Sequence, residues 1–215
     1  MCGEVGGVWD AQAGHCTVSK RGADNAHVQV SAAYPRDLID DSTAGPVLGS
    51  FLRKFFSQYG TPDDRGDGDA TLKYSIYAHP PSIKSVVFQS DWEYRSMPHP
   101  MAEITTFSFD LSRGKQLKLA DLFCPAVDPL KVLPPLARPA VQQQLANTEL
   151  AFERFEPGNP DGFADDYRAW ALDGDSLVLY MPAARGPGGM PPGFVQPRIP
   201  LSQMHSLLRE GGCST

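Results

Sequence analysis

The clearest pattern in the chain is a helical one that follows Pro46. Large apolar side chains recur there every three or four residues, at Val47, Leu48, Phe51, Leu52, Phe55, Phe56 and Tyr59, and Gly60 follows. This spacing places them on one side of an α-helix. Proline is tolerated in a first turn and glycine commonly ends a helix. We predict a helix over residues 46–59 whose aromatic and aliphatic face packs on the core rather than on a cofactor.

Apolar positions alternate in other parts of the first half, which is typical of strands. Val28, Val30 and Ala32 predict an early strand that stops at Tyr34-Pro35. Strands are also predicted at residues 72–77, 85–94, 103–111 and 117–123, separated by Pro80-Pro81, Pro98-His99-Pro100 and Arg113-Gly114. These separators favour turns. The segment therefore predicts a meander of antiparallel strands.

The second half contains a strong hairpin signal. Residues 167–172 and 176–181 flank Asp173-Gly174, a pair that favours a type I′ turn. Asp128-Pro129 predicts the start of a second helix, but Pro134, Pro135 and Pro139 should interrupt it and leave residues 139–148 as its regular part. After a Gly- and Pro-rich segment at 182–194, we expect a closing strand at 195–199. Ser202 should then cap a short helix that carries Met204, Leu207 and Leu208.

The polar segment 61–70 predicts a solvated loop. Its acidic residues lack the spacing and the closing Glu of an EF-hand, so calcium binding is not expected. Arg65-Gly66-Asp67 matches an adhesion tripeptide, but three residues match easily by chance.

Composition narrows the class of protein. The chain has 215 residues, of which 41% are hydrophobic and 20% charged, so we expect one globular domain over 1–215. Twenty Gly and twenty Pro favour short strands and ordered loops. The net charge of −6 disfavours nucleic acid as a partner. No apolar run reaches the roughly 20 residues of a membrane span, and none of signal-peptide length precedes Cys2. We therefore expect that the chain was cut from an exported protein and that Met1 was added. We also expect a monomer.

Four cysteines, Cys2, Cys16, Cys124 and Cys213, contain no C-x-x-C pair, which argues against zinc and redox chemistry. Of the three possible disulfide connectivities, we favour Cys2 with Cys16 and Cys124 with Cys213. The first would close a Gly-rich N-terminal loop and the second would hold the C-terminal tail. The alternative is four reduced, buried thiols in a cytosolic protein.

Catalytic signatures are scarce. No serine lies in a G-x-S-x-G frame, although a triad of Ser96, Asp91 and His99 is conceivable. The acidic pairs Asp63-Asp64 and Asp165-Asp166 are better explained as loops than as glycosidase carboxylates. The remaining histidines, His15, His27, His79 and His205, form no metal-binding motif. The sequence thus predicts no catalytic residues, no metal and no cofactor.

Four aromatic side chains in predicted strands could face a partner. They are Trp92, Tyr94, Trp170 and Tyr180. Strand aromatics more often belong to the core, but an aromatic surface would suit a glycan or a protein. We name His99, Trp92, Tyr94 and Tyr180 as candidate binding residues.

The order of several segments resembles that of a family of extracytoplasmic domains. These segments are Cys2 with Cys16, Tyr34-Pro35, His99-Pro100, residues 106–111 (Thr-Phe-Ser-Phe-Asp-Leu), Lys115, Leu117, residues 119–123 (Leu-Ala-Asp-Leu-Phe), Asp128-Pro129-Leu130, residues 167–180 and Arg198-Ile199-Pro200. The family includes secreted immunogenic antigens of mycobacteria and the lysozyme-sensing anti-sigma factor of Gram-positive bacteria; the mycobacterial, actinobacterial branch is the more similar. The family usually has two glycines before its His-Pro, where this chain has Ser96, Met97 and Pro98.

The resemblance implies an α+β fold in which two to three helices pack on a curved, mainly antiparallel, β-grasp-like sheet. It implies a secreted or cell-wall location and no established catalytic residues. Together with the cysteines, it leads us to expect a non-catalytic protein that binds an envelope or host component, whether glycan, lipid or protein. The alternative is a cell-envelope hydrolase, an esterase.

Overall fold

A computed structural model describes residues 1–21, 27–60, 66–145, 152–158, 167–182 and 194–213. The chain forms two compact units. Unit 1 consists of Met1–Ser75 and Phe88–Thr105, and unit 2 of Ile76–Val87 and Thr106–Thr215. A single domain over 1–215 stays a prediction. In the part of the chain that is described, no helix is both long and apolar enough to cross a bilayer.

The fold is α+β with a large, mainly antiparallel sheet, as predicted. The sheet has seven strands in the order of the sequence: β1 (Val8–Asp10), β2 (His15–Arg21), β3 (His27–Ala33), β4 (Gly68–His79), β5 (Ile83–Tyr94), β6 (Met101–Asp110) and β7 (Lys115–Leu117). Strands β3 and β4 are parallel, with Val28 opposite Gly68. The chain passes between the two units within β4, β5 and β6.

In the described part of unit 1, two α-helices lie between β3 and β4. They are α1 (Arg36–Ile39) and α2 (Ala44–Tyr59). Helix α2 confirms the predicted helix but begins two residues earlier, because the Asp41 carboxylate accepts hydrogen bonds from the N–H groups of Thr43 (2.7 Å) and Ala44 (2.8 Å). Such an acceptor satisfies the free donors at a helix start. Leu48 and Leu52 are fully buried, as their spacing predicts.

The predicted loop at 61–70 is wrong at its C-terminal end. Residues 68–70 belong to β4, and Gly68 pairs with Val28. A side chain at position 68 would collide with the ring of Tyr94, so glycine here allows close packing rather than a turn. Asp63-Asp64 and Arg65 lie outside the described residues.

The strand predicted at 117–123 is also wrong. The strand β7 ends at Leu117, and Leu119–Leu122 forms a 3-10 helix. The Asp121 carboxylate accepts hydrogen bonds from Lys118 N–H (2.8 Å) and from Lys115 Nζ (2.7 Å). This local capping competes with extended structure, a preference that alternating hydrophobicity does not reveal.

Helix α3 (Pro129–Leu145) forms one side of the unit 2 core. It starts where predicted, with Asp128 Oδ1 accepting from Leu130 N–H at 3.0 Å. The expected interruption is wrong, because the helix continues through Pro134, Pro135 and Pro139. Each proline removes one backbone hydrogen bond. The apolar face compensates, since Leu133, Ala137 and Val141 are completely buried. Residues 146–148 lie outside the described part.

The predicted hairpin is present in unit 2 as β8 (Trp170–Asp173) and β9 (Ser176–Leu179). Asp173 pairs with Ser176, so the two central turn residues are Gly174 and Asp175. Only Gly174 has a positive φ, of 54°. Type I′ requires positive φ at both central residues, so the predicted turn type is wrong, and the φ pattern is that of type II′.

The predicted closing strand at 195–199 is divided. It consists of β11 (Phe194–Val195), which pairs with β10 (Met181–Pro182), and β12 (Arg198–Pro200), which pairs with β9. Pro197 lies in the break and has no N–H to donate to a ladder. Residues 183–193, most of the predicted Gly- and Pro-rich segment, lie outside the described part.

The C-terminal segment is built from 3-10 turns at Leu201–Leu207 and Arg209–Gly211. Ser202 lies inside the first turn, and Pro200 stands at its start without a side-chain cap, so the predicted Ser202 cap is wrong. Met204 and Leu208 are buried in the unit 2 core and Leu207 packs against it. Both predicted disulfides, Cys2 with Cys16 and Cys124 with Cys213, are present.

Candidate functional site

A cleft of about 260 Å³ opens in unit 2. It lies where the end of β4, the end of β6, the hairpin and the C-terminal segment meet. Its lining consists of His79, Pro80, Pro81, Ser82, Ile83, Asp110, Ser112, Arg113, Leu117, Asp121, Leu122, Leu172, Leu201, Leu208, Arg209 and Glu210. We call this the cleft. It combines an aliphatic floor with ionisable groups at its edges, the composition expected of a small-molecule site.

The turn between β4 and β5 forms one wall of the cleft. His79 ends β4, Ile83 begins β5, and a cis Pro80-Pro81 peptide bond lies between them. Proline has a restricted φ and no N–H, so this pair cannot continue the strand ladder. The turn therefore places His79 and Ser82 on the same cleft wall.

His79 is 8% exposed and links three parts of unit 2. Its Nδ1 lies 2.7 Å from the carbonyl oxygen of Gly174, and its Nε2 lies 2.9 Å from Glu210 Oε2. A carbonyl and a carboxylate both accept hydrogen bonds, so both contacts form together when the two ring nitrogens each carry a proton. The His79 ring joins the end of β4 to the hairpin turn and to the C-terminal segment.

Asp110 ends β6 and organises the turn that follows it. Its Oδ1 accepts hydrogen bonds from the hydroxyls of Ser112 (2.7 Å) and Ser82 (2.9 Å), and from the N–H groups of Ser112 (3.1 Å) and Arg113 (3.2 Å). The hydrogen bond from the Ser112 hydroxyl is the main reason that the pKa of Asp110 lies below its ordinary value, although burial acts in the opposite direction. Asp110 is therefore an ionised carboxylate that is already satisfied inside the protein.

Asp121 is held in a similar way on another side of the cleft. Burial would raise the pKa of its carboxyl, but the hydrogen bonds from Lys115 and Lys118 N–H, together with the nearby charges of Lys115 and Arg209, lower it below the ordinary value. Arg209 lines the same cleft. The carboxylate is thus engaged, while Arg209 stays exposed at the surface.

The conceivable triad of Ser96, Asp91 and His99 is not assembled. His99 Nδ1 lies 3.1 Å from the carbonyl oxygen of Pro100, its neighbour in sequence. The Asp91 carboxylate accepts hydrogen bonds from Gln89 Nε2 at 2.9 and 3.2 Å. A triad needs its base to bond the nucleophile and its carboxylate to orient that base. His99 is half-buried in unit 1 and stays only a predicted binding residue.

The four strand aromatics do not form an aromatic surface. Tyr94 (1% exposed), Trp170 (5%) and Tyr180 (8%) are buried, so they present no ring face to a partner. Burial raises the pKa of the Tyr180 hydroxyl above its ordinary value. Trp92 is half-buried, with its ring centroid 5.2 Å from that of Tyr59. Period-two patterning identified strands here but could not tell the inner face of a sheet from the outer one.

Sequence reasoning missed the cleft. Asp165-Asp166 lies outside the described residues, and in the described ranges no group of three or more His, Cys, Asp or Glu side chains is arranged to hold a metal. Two local sequence features could have identified part of the cleft. Asp110 lies just before the turn residues Ser112-Arg113-Gly114, and His79 precedes Pro80-Pro81-Ser82. The approach of Glu210 to His79, 131 positions away, has no sequence signal.

No family model and no curated protein matches the chain. Solved structures do match it. A DUF3298 family protein from Pseudomonas aeruginosa has a TM-score of 0.60 at 12% identity, covering 92% of this chain and 94% of that one. A member of the same family from Bacteroides fragilis has a TM-score of 0.57 at 14% identity, covering 90% and 91%. At these identities the likeness shows the fold alone, which is α+β over nearly the whole chain.

Proposed function

We propose that this chain is an exported, non-catalytic domain that binds an envelope or host component in the cleft of unit 2. The two disulfides favour an oxidising, extracytoplasmic environment. The resemblance to secreted mycobacterial antigens supports the same location.

The observation that carries the proposal is the bonding of the cleft's ionisable groups. Glu210 binds His79, and Asp110 binds the Ser82 and Ser112 hydroxyls. An esterase of the Ser–His type needs a serine bonded to a histidine, whereas here the serines bond Asp110 and the histidine bonds Glu210. The polar groups of the cleft are therefore suited to shaping a rigid binding surface.

Hydrolysis is the second candidate, and one observation outside the cleft favours it. In unit 1, the Ser19 hydroxyl lies 2.8 Å from Nε2 of His27, which is the spacing of a nucleophile and its base. Asp67 is close by, but its carboxylate accepts the backbone N–H of His27 at 2.8 Å instead of the ring N–H. The pair therefore lacks the orienting carboxylate of a triad.

The test compares two isoleucine variants. Ile83 lines the cleft, and Ile76 is an exposed residue of unit 2 that does not. We expect the immobilised wild-type chain and Ile76→Trp to retain the same component of an envelope extract, identified by mass spectrometry. Ile83→Trp should fill the cleft and lose that component. Retention of nothing by the wild-type chain, or equal retention by all three proteins, would show that the cleft is not the binding site.

The second candidate is tested separately with a panel of short-chain acyl esters. Under our proposal, the wild-type chain turns over none of them above the buffer rate. Turnover that disappears in Ser19→Ala, or in Ser96→Ala or His99→Ala, would replace the binding function with hydrolysis and would show which serine or histidine takes part.

A further inference from the structure

We infer that the cleft binds a small aliphatic anion, with its head group held by Arg113 and Arg209 and its aliphatic part on the floor. The inference rests on the proposed binding function and names the chemical class of the ligand.

The floor of the cleft is aliphatic. It is formed by Ile83, Leu117, Leu122, Leu172, Leu201 and Leu208. The lining contains no Phe, Tyr or Trp, and the His79 ring is buried, so a sugar ring would find no broad π-face to stack on. Aliphatic side chains instead favour a flexible hydrocarbon chain, through burial of apolar surface.

The carboxylates at the edge of the cleft already have cationic or hydrogen-bonding partners. Glu210 lies 2.9 Å from His79, Asp121 lies 2.7 Å from Lys115 Nζ, and Asp110 accepts several hydrogen bonds from the neighbouring turns. Adding a cationic ligand would require breaking these pairs. The cleft is therefore poorly suited to a cation.

The two arginines of the cleft are exposed to solvent. The Arg113 side chain is 81% exposed, and its ion pair with Asp110 is long, at 3.5 Å. Arg209 is exposed and lines the cleft together with Asp121, whose carboxylate accepts hydrogen bonds from Lys115 and Lys118. Guanidinium groups present forked N–H donors that match the oxygens of a carboxylate or phosphate. Two such groups at one rim favour an anionic head group, even though the whole chain carries a charge of −6.

The volume limits the size of the ligand. About 260 Å³ lies slightly below the range of roughly 300 to 1,000 Å³ that small-molecule sites occupy. A medium-length chain with one head group fits this space better than an oligosaccharide or a diacyl lipid.

Binding of octanoate and octyl phosphate tests the inference by isothermal titration calorimetry on the intact, oxidised chain. Octyl glucoside is the neutral probe with the same chain, and inorganic phosphate is the head group alone. We expect at least one octyl anion to bind and the two controls to bind at least about tenfold more weakly. The preferred anion then identifies the ligand source as a carboxylate or a phosphate ester.

The variants locate the head group. In Arg113→Gln/Arg209→Gln, we expect the Kd of the octyl anion to rise about 10- to 100-fold, the range expected when hydrogen bonds to a charged group are lost. Arg95→Gln is the matched control, because the Arg95 side chain is 79% exposed and has an ion pair of 3.5 Å with Asp67 in unit 1. That variant should bind like the wild-type chain.

Three results would overturn the inference: equal binding of octyl glucoside, binding of the anion unaffected by the double variant, or binding unaffected by Ile83→Trp. Failure of both octyl anions, with an envelope component still lost in Ile83→Trp, would refute the ligand class and leave the proposed function standing. Failure of both experiments would refute both.

Discussion

At the scale of single residues, hydroxyl side chains satisfy the backbone of the hairpin. The N–H of Leu172 donates to the Ser85 hydroxyl at 3.0 Å, and the N–H of Trp170 donates to the Thr106 hydroxyl at 2.9 Å. Ser85 is fully buried and also hydrogen-bonds Ser108 at 2.8 Å. A buried N–H without a partner costs free energy, so these hydroxyls take the place of a neighbouring strand within unit 2.

Replacement of Ser85 tests this role. Ser85→Ala leaves the buried N–H of Leu172 without its acceptor, and we expect the free energy of unfolding to fall by about 1 to 3 kcal/mol. Urea unfolding measures the change. Ser108→Ala is the control, because it removes only the hydroxyl pair and keeps the acceptor for Leu172. An equal or larger loss in Ser108→Ala would contradict the assignment.

At the scale of elements, the hairpin turn is tied to the end of β4. Gly174 donates its N–H to the carbonyl oxygen of Ala78 at 3.0 Å, and its own carbonyl oxygen accepts from His79 at 2.7 Å. Two hydrogen bonds therefore hold the turn in a conformation that requires a positive φ. The turn supports the cleft because His79 forms part of its wall.

Substitution of Gly174 tests the turn. Valine at φ 54° is strained although nothing lies within 4 Å of its added Cβ, so Gly174→Val should lower the free energy of unfolding by about 1 to 2 kcal/mol or more. Thermal unfolding checks the size of the loss. Gly3→Val is the control, since position 3 is equally open and has no positive φ. Equal stability of Gly174→Val and the wild-type chain would show that the turn is not strained by a side chain.

At the scale of the whole molecule, each unit contains one disulfide. Cys2–Cys16 lies in unit 1 and spans 14 positions, whereas Cys124–Cys213 lies in unit 2 and spans 89. The C-terminal segment is held in place by this second disulfide, by the β-bridge between Phe123 and Leu208, and by the contact of Glu210 with His79. That segment forms one wall of the cleft, so its attachment matters for both stability and binding.

Removal of each disulfide tests the difference. The chain-entropy model predicts a stabilisation of about 3 kcal/mol for the shorter loop and about 4 to 5 kcal/mol for the longer one. We therefore expect Cys124→Ser/Cys213→Ser to lower the unfolding midpoint in guanidinium more than Cys2→Ser/Cys16→Ser does. A larger loss in the Cys2 and Cys16 variant would contradict the model. Peptide mapping without reductant verifies the pairing in the wild-type chain.

The sequence by itself determined most elements of this fold. Helix α2, strand β3, the long strands and the hairpin carry periodic apolar patterns or turn residues, which act over a few neighbouring positions. The even cysteine count and the position of each cysteine also predicted both disulfides. The errors occurred where local polar contacts or packing outweighed the pattern. The Asp121 carboxylate caps a 3-10 helix where a strand was predicted. The buried face of α3 compensates for the backbone hydrogen bonds that three prolines remove.

Only the tertiary structure decided the candidate site. The cleft brings together His79, Asp110, Arg113, Arg209 and Glu210 from segments that lie far apart in the chain. The packing of the elements decides which side of a strand is buried. It also decides which distant side chain approaches a histidine. A sequence pattern reports only the spacing along one element. For this reason Tyr94 and Tyr180 were predicted to face a partner, although both are buried. The cleft residues had no periodic pattern that could have identified them.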